Sequence, residues 1–475
     1  MRVLTVFIFS FFLYSVAFGQ VAIIDINLDK KFMGNASKTY FTQSEDGQTL
    51  YGFFSKMKKG NVNYEMYAFD QEFKQIQHIE TIDIGPDCNL RDIYLLDNNI
   101  ITARGNQGFQ SYGMASFYIY KTPISNPENP TYIGIEFEKK EQLMAANEFE
   151  DKYYVITLNK KGIIKIYTID ITTLKYTEKE IEGDYKKIYA FRNSPLESSI
   201  GFTQIDDDKY YDLQAVSSKI KSYFDGSLFY LETFSDNFNS LRTIDLKTGK
   251  VSQTKFEKLY LNRTSVLYQG KYYVSEADYY NVTLKIFDAK TGENLNTYYC
   301  DKSHEIISFQ STKIIDRGEP IEKTKSLIKK LGKTHKYHKS YGLIPEKIDS
   351  MVVLMIGMPY YNASAGTGYT TANGTYMTTT QSEMFNYKYG RVKPTYYDAL
   401  SFEMWINPNG TIVPFDKNAT FKSNYQKIFK LIKDSTNQSH LTPLSTFLFN
   451  NKWYFSYYDK NNKKCVIKYV SEANF

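Results

Sequence analysis

Tryptophan and cysteine are nearly absent: two of the first and three of the second in 475 residues. Cys88, Cys300 and Cys465 are odd in number and far apart, a pattern that supports neither a disulfide scaffold nor a zinc site, although one disulfide is permitted. There are five histidines. Of these, His335 and His338 have helical spacing, but they sit among lysines that repel a cation. Asp206, Asp207, Asp208 and Asp212 offer oxygen ligands without the alternating spacing and glycine of a calcium loop, which favours a solvated turn. The chain lacks G-x-S-x-G and a Walker loop, and Gly366-Thr367-Gly368 has no strand or helix context for phosphate. Asp46-Gly47 after Ser44 is one residue short of a sialidase Asp-box and has no Trp. No cofactor and no metal is therefore expected. A pair of carboxylates for glycoside chemistry leaves no local motif, so that route is not closed by inspection.

Charge of one sign is also scarce. The net charge is +6, and residues 319–340 alone carry seven lysines against two glutamates. The rest is close to neutral, which leaves no electrostatic footprint for nucleic acid. Long apolar runs are missing after residue 16, so no spanning helix is expected beyond the N-terminus.

That N-terminus reads as a secretory leader. Arg2 precedes the apolar run VLTVFIFSFFLYSV, and Ala17-Phe18-Gly19 places small residues for cleavage after Gly19. The run is too short to anchor in a bilayer, and no Cys follows it for lipid attachment. The expectation is a leader over 1–19 and one exported domain over 20–475, secreted or held in the periplasm or at the cell surface. Eight N-x-S/T sequons, at Asn35, Asn262, Asn281, Asn362, Asn373, Asn409, Asn418 and Asn437, matter only where the host glycosylates.

What is abundant is tyrosine, 43 residues, and phenylalanine, 33. Aromatic residues suit pleated sheets. LRTIDLKTGKV (241–251) and LKIFDAKTGEN (284–294) repeat one phrase, with a third partial copy at Asp170. Each follows a turn and an aromatic strand: DKYYVITL from Asp151, DGSLFYLE from Asp225, GKYYVSEA from Gly270, and NKWYFSYY from Asn451. Lys152 lies 18 residues before Asp170, Ser227 18 before Asp245, and Lys271 17 before Asp288. A unit of turn, strand, turn, strand recurring every 40 to 50 residues predicts an all-β fold, a β-propeller of about seven four-stranded blades. Each Tyr-Tyr doublet then puts one ring on either face of a buried blade. An outer-membrane barrel is the competing all-β reading; the Asp-x-x-Thr-Gly turns and the lack of an aromatic girdle argue against it.

D-x-x-T-G-K/E after an alternating strand resembles the blades of pyrroloquinoline-quinone-type propellers and their non-enzymatic relatives, including secreted bacterial surface propellers. Two units match well, at Asp245 and Asp288. The docking Trp of the enzymes is replaced by Gln253 and Asn296, which argues against a quinone dehydrogenase. The segment YGFFSKMKKGNVNYEMYAFDQEFKQIQHI is similar to uncharacterised secreted bacterial proteins.

The pattern loosens after Cys300. Short helices are predicted over 320–332, opened by Pro320 and closed by Gly332, and over 423–434, capped by Ser423. In the first, Thr324, Leu327, Ile328 and Leu331 share a face. Between them lies a Tyr/Thr-rich excursion, 359–397, with a hairpin signal at Asn373-Gly374. It is longer than a blade needs, and long loops on rigid scaffolds carry binding. Tyr360, Tyr361, Tyr369, Tyr376, Tyr387 and Tyr389 are the candidate ligand-binding residues, each offering a ring for stacking and a hydroxyl. Lys323, Lys325, Lys329 and Lys330 would add attraction for an anionic polymer. Together these features point to an exported, monomeric, non-enzymatic binding scaffold for a polysaccharide or an envelope protein. The alternative is a propeller-type glycosidase or polysaccharide lyase.

Overall fold

Hairpin register explains the spacing of the repeats. In the computed structural model Lys152 pairs with Asp170 and Lys271 with Asp288, each pair closing the open end of an antiparallel ladder. Leu228 pairs with Asp245, and the carbonyl of Ser227 accepts the Leu246 N–H at 2.8 Å. The recurring offset is thus the length of two paired strands.

The structure describes residues 24–27, 39–44, 46–58, 61–82, 89–106, 116–183, 185–192, 202–205, 220–234, 239–256, 263–278, 280–301, 314–316, 319–321, 328–329, 342–348, 350–359, 369–370, 376–377, 399–413, 441–450, 452–459 and 461–469.

The protein is all-β, and the described residues form seven successive meander sheets besides one two-stranded ladder. Sheet I holds Thr39–Gln43, Leu50–Lys58, Asn61–Phe69 and Gln75–Ile82; sheet II holds Asn89–Leu96, Asn99–Asn106, Ser116–Pro123 and Thr131–Glu136. Sheet III comprises Gln142–Phe149, Lys152–Leu158, Ile164–Asp170 and Lys175–Ile181. Sheet IV comprises Ile220–Asp225, Leu228–Phe234, Asn239–Asp245 and Val251–Lys255, with Phe202–Ile205 added in parallel beside the first strand. Sheet V runs Arg263–Tyr268, Lys271–Ala277, Asn281–Asp288 and Asn294–Asp301. In sheet VI, Gly342–Ile348, Met351–Pro359, Ala399–Ile406 and Ile412–Val413 are joined at the outer edge by Ile314–Asp316 and Glu319–Ile321. Sheet VII takes Leu441–Phe449, Lys452–Asp459 and Lys464–Tyr469, and its fourth strand is Ile24–Asn27, from the other end of the chain.

Successive sheets pack face to face through shared apolar clusters. Phe53 and Tyr64 of sheet I meet Ile93 and Ile100 of sheet II. Ile101 and Phe117 of sheet II meet Tyr153 and Val155 of sheet III. Tyr154 and Ile166 meet Phe229 and Ile244 of sheet IV. One continuous cluster joins sheets IV, V and VI, and another joins Phe447 and Phe449 of sheet VII to Leu50 and Phe54 of sheet I. The first strands of sheets I and II, of VII and I, and of V and VI approach within 8 Å, Cα to Cα. Both faces of the inner strands Lys152–Leu158 and Lys271–Ala277 are therefore core, which explains the doublets: Tyr153 faces sheet II while Tyr154 faces sheet IV, both buried.

The turn between third and fourth strands is the repeated device. Asp245 Oδ1 accepts the N–H groups of Lys247 at 2.9 Å and Thr248 at 3.0 Å, and Gly249 closes the turn with φ 73°. Asp288 does the same for Lys290 and Thr291, with Gly292 at φ 79°. At Asp170 the closing residue is Leu174, φ 52°, and in sheet I it is Phe73, φ 61°. In sheets I, IV, V and VI the turn docks on the preceding sheet. Thr254 Oγ1 of sheet IV donates to the Lys290 carbonyl at 3.1 Å, and Lys271 Nζ of sheet V to the Pro408 carbonyl at 3.1 Å. Lys179 Nζ of sheet III donates to the Thr248 carbonyl. Phe73 lies against Phe449 and Tyr454 of sheet VII, with ring centroids 5.5 and 5.0 Å apart. Sheet VII thus stands to sheet I as III stands to IV.

One helical expectation changes at its start. Pro320 lies in the short strand Glu319–Ile321, paired with Ile315, because a proline without an N–H is tolerated on an edge. Of the helix placed over 320–332, residues 328 and 329 are described; they are helical, and Ile328 is buried in the cluster of sheets IV–VI. The helix over 423–434 lies outside the described residues. A helix not foreseen, Lys186–Arg192, follows sheet III, with Tyr185 and Ile188 buried between sheets III and IV.

Candidate functional site

The hairpin signal at Asn373-Gly374 is matched by a two-stranded ladder in which Tyr369 pairs with Met377 and Thr370 with Tyr376. The excursion leaves sheet VI through its second strand and returns in its third, and Pro359 opposite Ala399 is the last pair before it departs. Of the six candidate tyrosines, Tyr369 and Tyr376 fall in these short strands; Tyr360, Tyr361, Tyr387 and Tyr389 lie outside the described residues. Lys329 is exposed, whereas Lys323, Lys325 and Lys330 are not among the described residues. The same holds for His335, His338 and the Asp206–Asp212 group. Cys300 and Cys465 are buried and are not joined in a disulfide. Among the described residues no group of three or more His, Cys, Asp or Glu is placed to hold a metal, and no helix is long and apolar enough to cross a membrane.

Two polar constellations that sequence patterning missed lie between sheets. The first is at the inner edge of sheets II and III, where Asp92 and Tyr94 on one first strand face Glu148 on the next. Tyr153 donates its hydroxyl to Asp92 Oδ2. Burial raises the Glu148 carboxyl above its ordinary range, and the charges of Asp151 and Asp92 add to this against an opposing hydrogen bond from the Asp151 backbone. Tyr94 is held protonated by burial and then by Glu148, Asp92 and Asp151, and its hydroxyl oxygen is buried without a hydrogen-bond partner. Glu148 and Asp92 are thus two carboxyl groups of neighbouring sheets that lie near enough to feel each other's charge.

The second constellation is sealed. Glu232, fully buried between sheets IV and V, accepts from Tyr223 at 3.1 Å and from Ser265 and Tyr272. Lys221 donates to Thr264 Oγ1 at 3.4 Å and to the Ser265 carbonyl. Burial pulls the Lys221 ammonium down to about 8, with Glu232 opposing the shift. Burial, then Glu232, pushes both tyrosines well above their usual value. Donors and acceptors are matched within the cluster, so it pins two sheets in register. One signal for it was present in the sequence: Lys221 and Glu232 are charges set beside apolar residues, Ile220 and Leu231, that are core.

No protein-family model matches the chain, and no curated protein matches it. Among solved structures, it is similar to the uncharacterized protein lmo1340 from Listeria monocytogenes EGD-e, at 8% identity over 58% of this chain and 69% of that one, with a TM-score of 0.29. The Dos1 propeller matches at 12% identity over 55% and 58%, TM-score 0.30. Prolyl oligopeptidase B from Galerina marginata matches at 8% identity over 91% of this chain and 48% of that one, TM-score 0.36. Likenesses at these scores carry no argument, and the architecture rests on the sheets themselves.

Proposed function

We propose that the seven sheets close into one ring, a seven-bladed propeller, and that the protein is an exported, non-enzymatic scaffold that binds a polysaccharide or another envelope protein through its excursion. Six sheet-to-sheet junctions share a core or a docked turn, and the strand order places sheet VII before sheet I, which supports closure. The observation that carries the binding reading is the root of the excursion. It springs from a ladder paired up to Pro359 and Ala399, so a tyrosine-rich segment is held on a rigid stem. The leader ending at Gly19 directs the chain out of the cytoplasm, where it acts as a monomer.

The test is deletion of residues 362–386, which leaves the stem. The thermal midpoint should stay within a few degrees of the parent, and binding on a glycan array and in envelope pull-downs should vanish. Unfolding, or unchanged binding, removes the excursion as the contact surface. Release of the full chain only by detergent would replace the propeller by a membrane barrel.

A second reading, a glycosidase or lyase, is favoured by one observation: the raised carboxyl of Glu148 beside Asp92 at the inner edge. Reducing-end release from exported glycans, lost in both Glu148→Gln and Asp92→Asn, would establish it in place of the scaffold. Its absence across acidic and neutral glycans would dismiss it.

A further inference from the structure

The third strand of sheet VII has its inner edge taken by Lys452–Asp459, and its outer edge receives Ile24–Asn27. The register is Ile24 with Ile467, Asp25 with Val466, Ile26 with Cys465 and Asn27 with Lys464. The next described strand of the chain, Thr39–Gln43, is the innermost of sheet I, beside the innermost of sheet VII. Ile24–Asn27 thus lies at the rim of sheet VII, and Thr39–Gln43 lies beside its innermost strand.

We propose that residues 24–27 are a detachable strap: an own-chain segment seated on an edge that would otherwise stand open, exchangeable for the same segment supplied in trans. Three observations carry this. Among the described residues the strap pairs over four residues, where the fourth strands of sheets I to V run five to eight. Its seat is an edge strand, and an unpaired edge is a template for another strand. Apart from the strap, sheet VII is joined to the rest, among the described residues, through the one cluster it shares with sheet I. Short pairing at a rim opens at lower free energy than a shared core. The strap therefore leaves its seat while sheet VII remains folded. The proposal concerns the two ends of the chain and does not depend on what the excursion binds.

The register supplies its own probe, because the native buried thiol of Cys465 lies opposite Ile26. Directly opposed positions on antiparallel strands are within disulfide reach. In the full chain, Ile26→Cys treated with diamide, which takes up the two thiol hydrogens, should give one 26–465 disulfide in a monomer, mapped by peptide mass and abolished by Cys465→Ser. A labelled peptide of residues 20–34 should enter the reduced variant saturably, and the disulfide should cut that uptake at least tenfold. A chain starting at residue 35 should take up the peptide more tightly than the full chain does. Failure to form the bond overturns the seat. A bond formed only between two chains overturns the own-chain strap in favour of a second copy. Equal peptide uptake with and without the disulfide overturns exchange, and that comparison holds even if the shortened chain does not fold.

Discussion

The carbonyl oxygen of Lys255 lies 2.8 Å from the point where a β-carbon on Gly292 would stand. Lys255 ends the outer strand of sheet IV, and Gly292 closes the Asp288 turn of sheet V at φ 79°. One residue thus answers two demands, a left-handed backbone and a neighbour's main chain. Gly270, at φ 71°, has nothing within 4 Å of its own β-position. Gly270→Ala should cost about 1 kcal/mol, the left-handed penalty alone. Gly292→Ala should cost about 1–3 kcal/mol more, because backbone must move. Chemical denaturation of the two variants checks the order; equal losses would mean that the sheets do not meet at this turn.

The turn aspartates make an acid-range prediction. Backbone hydrogen bonds, foremost those from Thr248 to Asp245 and from Thr291 to Asp288, hold these carboxyls below their ordinary 3.8. Asp170 is lowered in the same way by Thr173. A group depressed in the folded state stabilises above its unfolded value, and that contribution is lost as pH falls through the folded one. The triple variant Asp170→Asn, Asp245→Asn, Asp288→Asn should be less stable at pH 6 by about 0.5–1 kcal/mol per site. Its difference from the parent should shrink below pH 4. A gap that stays constant to pH 2 would contradict the turn geometry.

Lys221 reverses the sign. Its folded value, about 8 against the ordinary 10.5, means that the unfolded chain holds the proton more strongly. Stability therefore rises as pH climbs from about 8 towards 10.5, by an amount of order 3 kcal/mol. Lys221→Met should remove this rise, so the difference between variant and parent narrows from pH 7 to pH 9.5. Thermal melts across that range check it, and parallel curves would show that Lys221 is solvated.

Glu232 is the harder substitution. Glu232→Leu strands the hydroxyls of Tyr223, Ser265 and Tyr272 and leaves Lys221 without its counter-charge, and should cost about 3–5 kcal/mol. Combining it with Lys221→Met should recover part of that loss, since one buried charge goes with the other. A double variant no better than the single would deny their coupling.

Much of this was legible in advance because hairpins write themselves locally. An Asp, a left-handed residue and an alternating strand fix register within one unit, and the Tyr doublets at 153–154 and 272–273 announced strands buried on both faces. The turns at Leu174 and Phe73 were harder to read, since side chains there accept a strained backbone in return for packing on the preceding sheet. Ile24–Asn27 gave no sign of pairing with residues more than four hundred positions away, because four residues carry no periodicity. Asp92, Glu148, Lys221 and Glu232 come together only when sheets stack. Their one trace was a charge where the alternation called for core.

The docked turns have a direction. Those of sheets I, IV, V and VI each overlap the sheet before, like tiles laid along one course of a roof. Tiles laid this way can be added or removed singly, provided the cut falls between courses and not beneath an overlap. A unit duplicated from one Asp turn to the next would carry its lap joint with it and need no new interface. Where the course meets its own beginning the lap is kept, Phe73 lying on Phe449 and Tyr454, and the chain adds to it four residues of strand at the rim of sheet VII.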